Sequence, residues 1–162
     1  MLAGYSALEP EQTKIGIETE YDDSDEIEVE FIWADRLGDD RYQVKNFPFF
    51  AYGVSFDDIV EARPKYDDDP YPYLTDVIQK SGHRTLRIIL DDSAKESERS
   101  KGLLRHLASM DCGYEGTNGE TYFVINVQPH CDFDAVRDFL NEENIRWEYA
   151  DPTYEEMQQR GE

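Results

Sequence analysis

The sequence predicts an α+β protein in two parts, a small N-terminal β-barrel-like sheet followed by a ferredoxin-like βαββαβ unit, and three observations carry that prediction. The stretch Arg84-Thr85-Leu86-Arg87-Ile88-Ile89-Leu90 is the cleanest short apolar strand pattern, with Leu86, Ile88 and Leu90 on one face at the strand period of two. Before it lie short alternating runs and turn residues without helical periodicity, and after it the pattern becomes strand, helix, hairpin, helix, strand. A chain of 162 residues that is 39% hydrophobic and 13% aromatic can bury one good core, or two small ones sharing an interface.

Residues 1–27 carry few apolar side chains and end in the acidic run Asp22-Asp23-Ser24-Asp25-Glu26. A flexible acidic N-terminus is expected, with at most a weak strand at 14–18. The run fails as a calcium loop, because no Gly stands at its sixth position and Trp33 occupies the twelfth, where a Glu is needed.

Residues 28–83 form the expected β-rich half. Val29, Phe31 and Trp33 alternate as a half-buried strand, and Leu37-Gly38-Asp39-Asp40 turns into a second strand at 41–47. The run Phe47-Pro48-Phe49-Phe50-Ala51-Tyr52-Gly53 is too aromatic for an exposed loop and is broken by Pro48, so it should lie across a core. Residues 58–63 and 74–80 supply further strands. Between them Tyr66-Asp67-Asp68-Asp69-Pro70-Tyr71-Pro72 should project, since adjacent carboxylates repel one another and prolines remove backbone donors. Five short strands with tight connections suggest a small, partly open barrel or curled sheet.

Residues 84–150 form the expected ferredoxin-like half. Ser93-Ala94-Lys95-Glu96 reads as a capping box that starts a helix, with Leu103, Leu104, Leu107 and Met110 as its buried stripe and Gly113 as its stop. Asn118-Gly119 favours a two-residue type I′ turn, which pairs Thr117 with Glu120 and sets Cys112 opposite Ile125. Asp132 caps a second helix with Phe133, Val136, Arg137 and Leu140 on one face, and Ile145, Trp147 and Tyr149 alternate in a last strand. The resulting βαββαβ order puts the two most apolar strands, 86–90 and 122–127, in the middle of the sheet. Residues 151–162 are polar, contain Pro152 and should be a loose tail.

The formal charge of −21, from 37 acids against 16 bases, repels nucleic acid and anionic lipid and favours a basic protein partner. Acid-rich solvation of the halophile type is the competing account, and Lys being scarcer than Arg, 6 against 10, also fits it. No apolar run approaches the roughly 18 residues that span a bilayer, and residues 1–10 lack the basic and apolar regions of a signal peptide, so a cytoplasmic protein is expected. The hairpin register would put Cys131 roughly 20 Å from Cys112 at strand rise, against both a disulfide and a metal site with His130. Neither metal nor cofactor is expected.

His83 follows a Gly turn and should bond to backbone, since no nucleophile stands near it in a recognisable motif. Phosphate loops and paired-carboxylate motifs are absent from the sequence, and the expectation is a protein that is not an enzyme. In the predicted register Phe123, Ile125 and Val127 share a face with Cys112 and Tyr114 under the helices. Tyr122, Val124 and Asn126 then lie opposite, beside Arg87. One tyrosine without a basic patch is a poor RNA platform, and that face should pack on the N-terminal half.

Several runs resemble the bacterial family labelled domain of unknown function 4265. They are Trp33-Ala34, Leu37-Gly38, Arg41-Tyr42, Asn46-x-Pro48-Phe49 with Ala51-Tyr52-Gly53, Asp58-Ile59-Val60-x-Ala62 and Ser81-Gly82-His83-Arg84-Thr85. Later come Cys112-x-Tyr114-Glu115-Gly116-Thr117-Asn118 and Trp147-Glu148-Tyr149, so the resemblance covers residues 29–152. It implies a bacterial, cytoplasmic, two-part domain and brings no catalytic residue with it. Small families of this kind often accompany toxins as immunity proteins. The sequence departs from the family in its extra acidity, notably at Asp67-Asp68-Asp69 and in the N-terminus.

The functional expectation is an acidic protein-binding inhibitor, an immunity protein that neutralises a basic toxin or nuclease with carboxylates anchored by tyrosines. Its expected partner-binding edge is Tyr66, Asp67, Asp68, Asp69, Tyr71 and Tyr73. The alternative is a small-molecule-sensing regulatory module whose ferredoxin-like half binds the ligand. A flat acidic patch ringed by tyrosines favours the first, and a well-formed apolar pocket with convergent polar groups favours the second.

Overall fold

The computed structural model describes residues 9–20 and 27–161. The chain runs β1 (Gln12–Glu20), β2 (Ile27–Gly38), β3 (Arg41–Val44), β4 (Ile59–Arg63), β5 (Tyr73–Gln79), β6 (Arg84–Ile89), α1 (Glu98–Ser109), β7 (Cys112–Gly116), β8 (Tyr122–Val127), α2 (Phe133–Glu142), β9 (Arg146–Asp151) and α3 (Tyr154–Arg160). Strands β1 to β5 close into a barrel whose neighbours are antiparallel, except where β1 meets β5 in parallel at Gly16 and Tyr73. The remaining strands form an antiparallel sheet in the order β7-β8-β6-β9, so the two most apolar strands are its middle ones, as the sequence predicts. Among the described residues no helix is long and apolar enough to cross a membrane.

Each part has its own core. Ile15, Ile32, Ala34, Val44, Val60 and Ala62 fill the barrel, whereas Leu86, Ile88, Ile125, Leu107, Val136 and Leu140 lie between the sheet and its helices. The predicted helix stripes hold: Leu104 and Leu107 are buried, and Leu103 and Met110 pack partly against the same core.

Strand β1 departs most from the sequence reading. It pairs with β2 along its whole length, from Gln12 opposite Asp35 to Glu20 opposite Ile27, and buries Ile15 and Ile17. Two apolar side chains make a weak periodic signal, but the edge of β2 offers a full row of backbone partners, and pairing satisfies both strands. The barrel is closed because this strand covers both edges. The rest of the expected flexible N-terminus, 1–8 and the acidic run at 21–26, lies outside the described residues.

Three further corrections have tertiary causes. Helix α1 starts at Glu98, capped by Ser97, whose hydroxyl accepts from the Ser100 amide at 3.1 Å. Ser93 heads a separate turn, because buried Ala94 donates its amide to the Glu120 carbonyl at 2.9 Å and holds that segment against the hairpin. The hairpin is also longer than predicted. Glu120, not Asn118 or Gly119, takes positive φ, and Cys112 pairs with Val127 rather than Ile125. A slip of two preserves strand parity, so the predicted faces survive it. The expected loose tail is ordered: Thr153 caps α3, and Met157 is fully buried in the second core.

The cysteines are free but not remote. Both sulfurs approach the Met110 carbonyl, Cys131 at 3.2 Å and Cys112 at 4.0 Å, because the shifted register brings Cys112 level with Val127 and the chain turns back at 128–131. Burial pushes the Cys112 thiol up to about 12, with Cys131 and Asp111 adding to it, so the thiol stays protonated.

Candidate functional site

The outward side of β1, β2 and β5 carries the most exposed aromatic surface of the barrel. Phe31 and Trp33 follow one another on the outer face of β2, 45% and 43% exposed, while their neighbour Ile32 points inward and is buried. The loop between β4 and β5 brings Tyr71 and Tyr73 against Phe31, with ring centroids 5.8 and 6.2 Å away. The rings lie close over the β1 backbone because Gly16 has no side chain: a β-carbon there would be 2.9 Å from Tyr73 Cδ1. Gly16 also donates its amide to the Pro72 carbonyl at 2.9 Å, which ties the loop to the point where the barrel closes.

The six residues of the predicted edge divide into two groups. Tyr66, 70% exposed, and the exposed Asp67 and Asp68 form the tip. Asp69 braces the loop, its Oδ2 accepting from the Lys65 and Tyr66 amides at 2.8 and 2.7 Å. Tyr71 and Tyr73 are half-buried on Phe31 and make the loop stiff. Lys65 pairs with Glu18 and lies 5.3 Å from the Tyr73 ring centroid, fastening the loop's base to β1. The sequence reading missed Phe31 and Trp33 as members of this surface. Their alternation was the available signal, but only the closed barrel shows that their face points outward. Residues 1–83 hold 20 acids against 7 bases, so the barrel half carries the larger share of the negative charge.

A second polar region lies in the seam, where residues 47–53, expected to lie across a core, pass over the outward face of β6 and β8 with Phe50 and Tyr52 left exposed. Glu30 organises that crossing by accepting from the amides of Phe49, Phe50 and Ala51 at 2.6, 3.1 and 2.9 Å. Arg87, only 2% exposed, donates to the carbonyls of Pro48, Phe50 and Ala51. Tyr122 donates its hydroxyl to the Phe49 carbonyl. At the other end Lys80 bridges the buried carboxylates of Asp58 and Asp151, each at 2.5 Å, and the Ser55 hydroxyl contacts Asp151 at 2.5 Å and Thr85 at 2.7 Å. Burial holds the Asp151 carboxyl above the usual carboxylate range, against the hydrogen bonds of Lys80 and Ser55 that lower it.

His83 differs from expectation by bonding to a side chain, its Nδ1 accepting from Asn126 Nδ2 at 3.0 Å while Nε2 lies 3.8 Å from Asp57. Every polar group of the Lys80 cluster is committed to another, and Ser55, Asp58 and Thr85 are sealed from solvent. That cluster is built to join the two parts. Among the described residues no group of three or more His, Cys, Asp or Glu side chains is arranged to hold a metal ion.

The family model described as Domain of unknown function (DUF4265) matches residues 30–149. The chain belongs to that family. Its fold is similar to a solved structure described as a "novel crystal structure of a hypothetical protein from Neisseria gonorrhoeae", with a TM-score of 0.67 at 22% identity over 86% of this chain and 94% of that one. Comparison with curated proteins returned no match. Within this DUF4265 chain, many of the runs that carry the family resemblance lie along the seam. Asn46 accepts from the Trp33 amide, Pro48 and Ala51 receive Arg87, Asp58 receives Lys80, and Glu148 faces Arg87.

Proposed function

We propose that the protein is an acidic inhibitor of the immunity type, whose barrel face covers a basic surface of a toxin or nuclease. The observation that carries this reading is the exposed pair Phe31 and Trp33 on the outer face of β2, joined through Tyr71 and Tyr73 to a loop whose tip exposes Tyr66, Asp67 and Asp68. Contiguous aromatic surface on a rigid sheet is characteristic of a protein-binding site, because such side chains bury large area for little lost rotamer freedom. Carboxylates at its margin steer a basic partner onto it. No catalytic step is assigned to this surface. The small-molecule-sensing alternative draws on a different feature, the cavity at Arg87 taken up below.

The basic product of an adjoining gene is the first partner to test. Its association with the purified protein should slow several-fold at low salt when Asp67 and Asp68 are both replaced by Asn, with a flatter salt dependence and an unchanged melting temperature. Asp69 is left in place, since it braces the loop. Trp33→Ala should instead speed dissociation. An on-rate and salt slope unchanged in the double variant would refute the tip as the landing site, and a Trp33→Ala variant that binds as tightly as wild type would refute the aromatic face.

A further inference from the structure

A cavity of about 160 Å³ opens at the end of the seam, on the outward side of the second sheet, lined by Arg87, Ile89, Tyr122, Arg146, Trp147 and Glu148. Three features mark it. The Arg87 guanidinium is anchored by three backbone carbonyls through its terminal nitrogens, yet its buried Nε has no partner among the described residues. A buried donor without an acceptor is unfavourable in the free protein, and a ligand that supplies one gains by it. Ile89, on a middle strand, is 42% exposed, beside exposed Phe50, whose ring stacks on Tyr122 at 6.0 Å. Sheet interiors are normally covered at such positions, so an apolar surface is left open here.

The third feature is charge. Glu148 is already engaged, its Oε1 3.5 Å from Arg87 Nη1 and accepting the Tyr52 hydroxyl at 3.0 Å. Among the described residues Arg146 pairs with Asp91, at 3.6 Å, in an exposed contact that solvent screens. The two arginines are balanced by Glu148 and Asp91, and Arg146, whose pair is the longer and more exposed, is the one open to a further carboxylate.

We infer that this cavity binds a small carboxylate joined to a flat apolar body of benzoate size. The carboxylate accepts from Arg87 Nε–H and from the Arg146 guanidinium, and the body lies against Ile89 and Tyr122. The Tyr52 ring, 4.8 Å from the guanidinium carbon, stays held by Glu148 through its hydroxyl beside the ligand. Pockets for drug-sized ligands hold roughly 300–1,000 Å³, so a space this small takes a fragment-sized ligand at affinity on the order of millimolar. The inference is independent of the barrel-face reading, since it concerns the other part of the molecule.

The test is a titration of the ¹⁵N-labelled full chain with sodium benzoate through the millimolar range at constant ionic strength. Saturable shifts should centre on the Ile89, Tyr122 and Trp147 amides and on the Arg87 Nε–H signal. Acetate, which lacks the body, and benzyl alcohol, which lacks the charge, should each bind at least about tenfold more weakly. Arg146→Ala should weaken benzoate about threefold or more. Ile89→Glu, at an exposed position that leaves the core intact, should abolish binding. Shifts that do not saturate or that centre elsewhere would overturn the proposal. So would benzyl alcohol or acetate matching benzoate, or Ile89→Glu binding it unchanged.

Discussion

Replacing Gly16 with Ala probes the link between barrel closure and the aromatic face. The added carbon would lie 2.9 Å from Tyr73 Cδ1, 3.0 Å from Tyr73 Cε1 and 3.1 Å from Phe31 Cε1, where carbon atoms ordinarily keep about 3.5–4.0 Å apart. Both rings must retreat, and both stem from paired strands rather than from flexible chain. Overpacking of this kind costs about 1–3 kcal/mol, while Ala in place of Gly within a strand returns about 0.5–1 kcal/mol, so the net loss is about 0–2.5 kcal/mol. Urea denaturation should show a lower midpoint at unchanged slope. In a Tyr73→Ala background the nearest ring is gone and Phe31 can retreat into the space it leaves, so the same substitution should cost less. The double-mutant cycle should therefore return a coupling of about 1 kcal/mol or more. A cost that does not differ between the two backgrounds would refute the account.

Two further measurements address the corrected elements. Ser97→Ala should cost about 1 kcal/mol through loss of the α1 cap, and Ser93→Ala less than half of that; denaturant midpoints in the opposite order would return the helix start to Ser93. Because burial raises the Asp151 carboxyl, the folded protein holds that proton more tightly than the unfolded chain. Its contribution to stability is then fully present below the ordinary aspartate range and is lost as pH rises through the folded value. The stability of wild type relative to Asp151→Asn should thus fall with rising pH above about pH 4, at no more than about 1.4 kcal/mol per pH unit. A difference that stays flat from about pH 3 to 7 would mean that Lys80 and Ser55 fully offset desolvation there, and one that rises would mean that they outweigh it.

The candidate surface was only partly legible in the sequence. Adjacent carboxylates and prolines mark 66–72 as surface whatever the fold, because no core accommodates them. What the sequence could not divide was the labour among them: Asp69 turns back to the loop's own amides, and Tyr71 and Tyr73 lean on Phe31 from a different strand. The seam was less legible still. Arg87 in an otherwise apolar middle strand was a visible anomaly, but its acceptors lie 36 to 39 residues away. Glu30 and Asp151 were two acids among 37, and composition does not say which of them a fold will bury.

From the sequence alone followed the mixed α+β class, the kinds and order of the elements from β2 to β9, and the negative charge, since periodicity and turn chemistry act between near neighbours in the chain. Only the tertiary structure decided the closure of the barrel by β1, the register of the β7–β8 hairpin, the start of α1 at Ser97 and the ordering of α3 through Met157. In each case a local preference worth about 1 kcal/mol or less met a distant contact that pairs a whole strand edge or buries a large side chain, and the distant contact prevailed because it is worth several times as much.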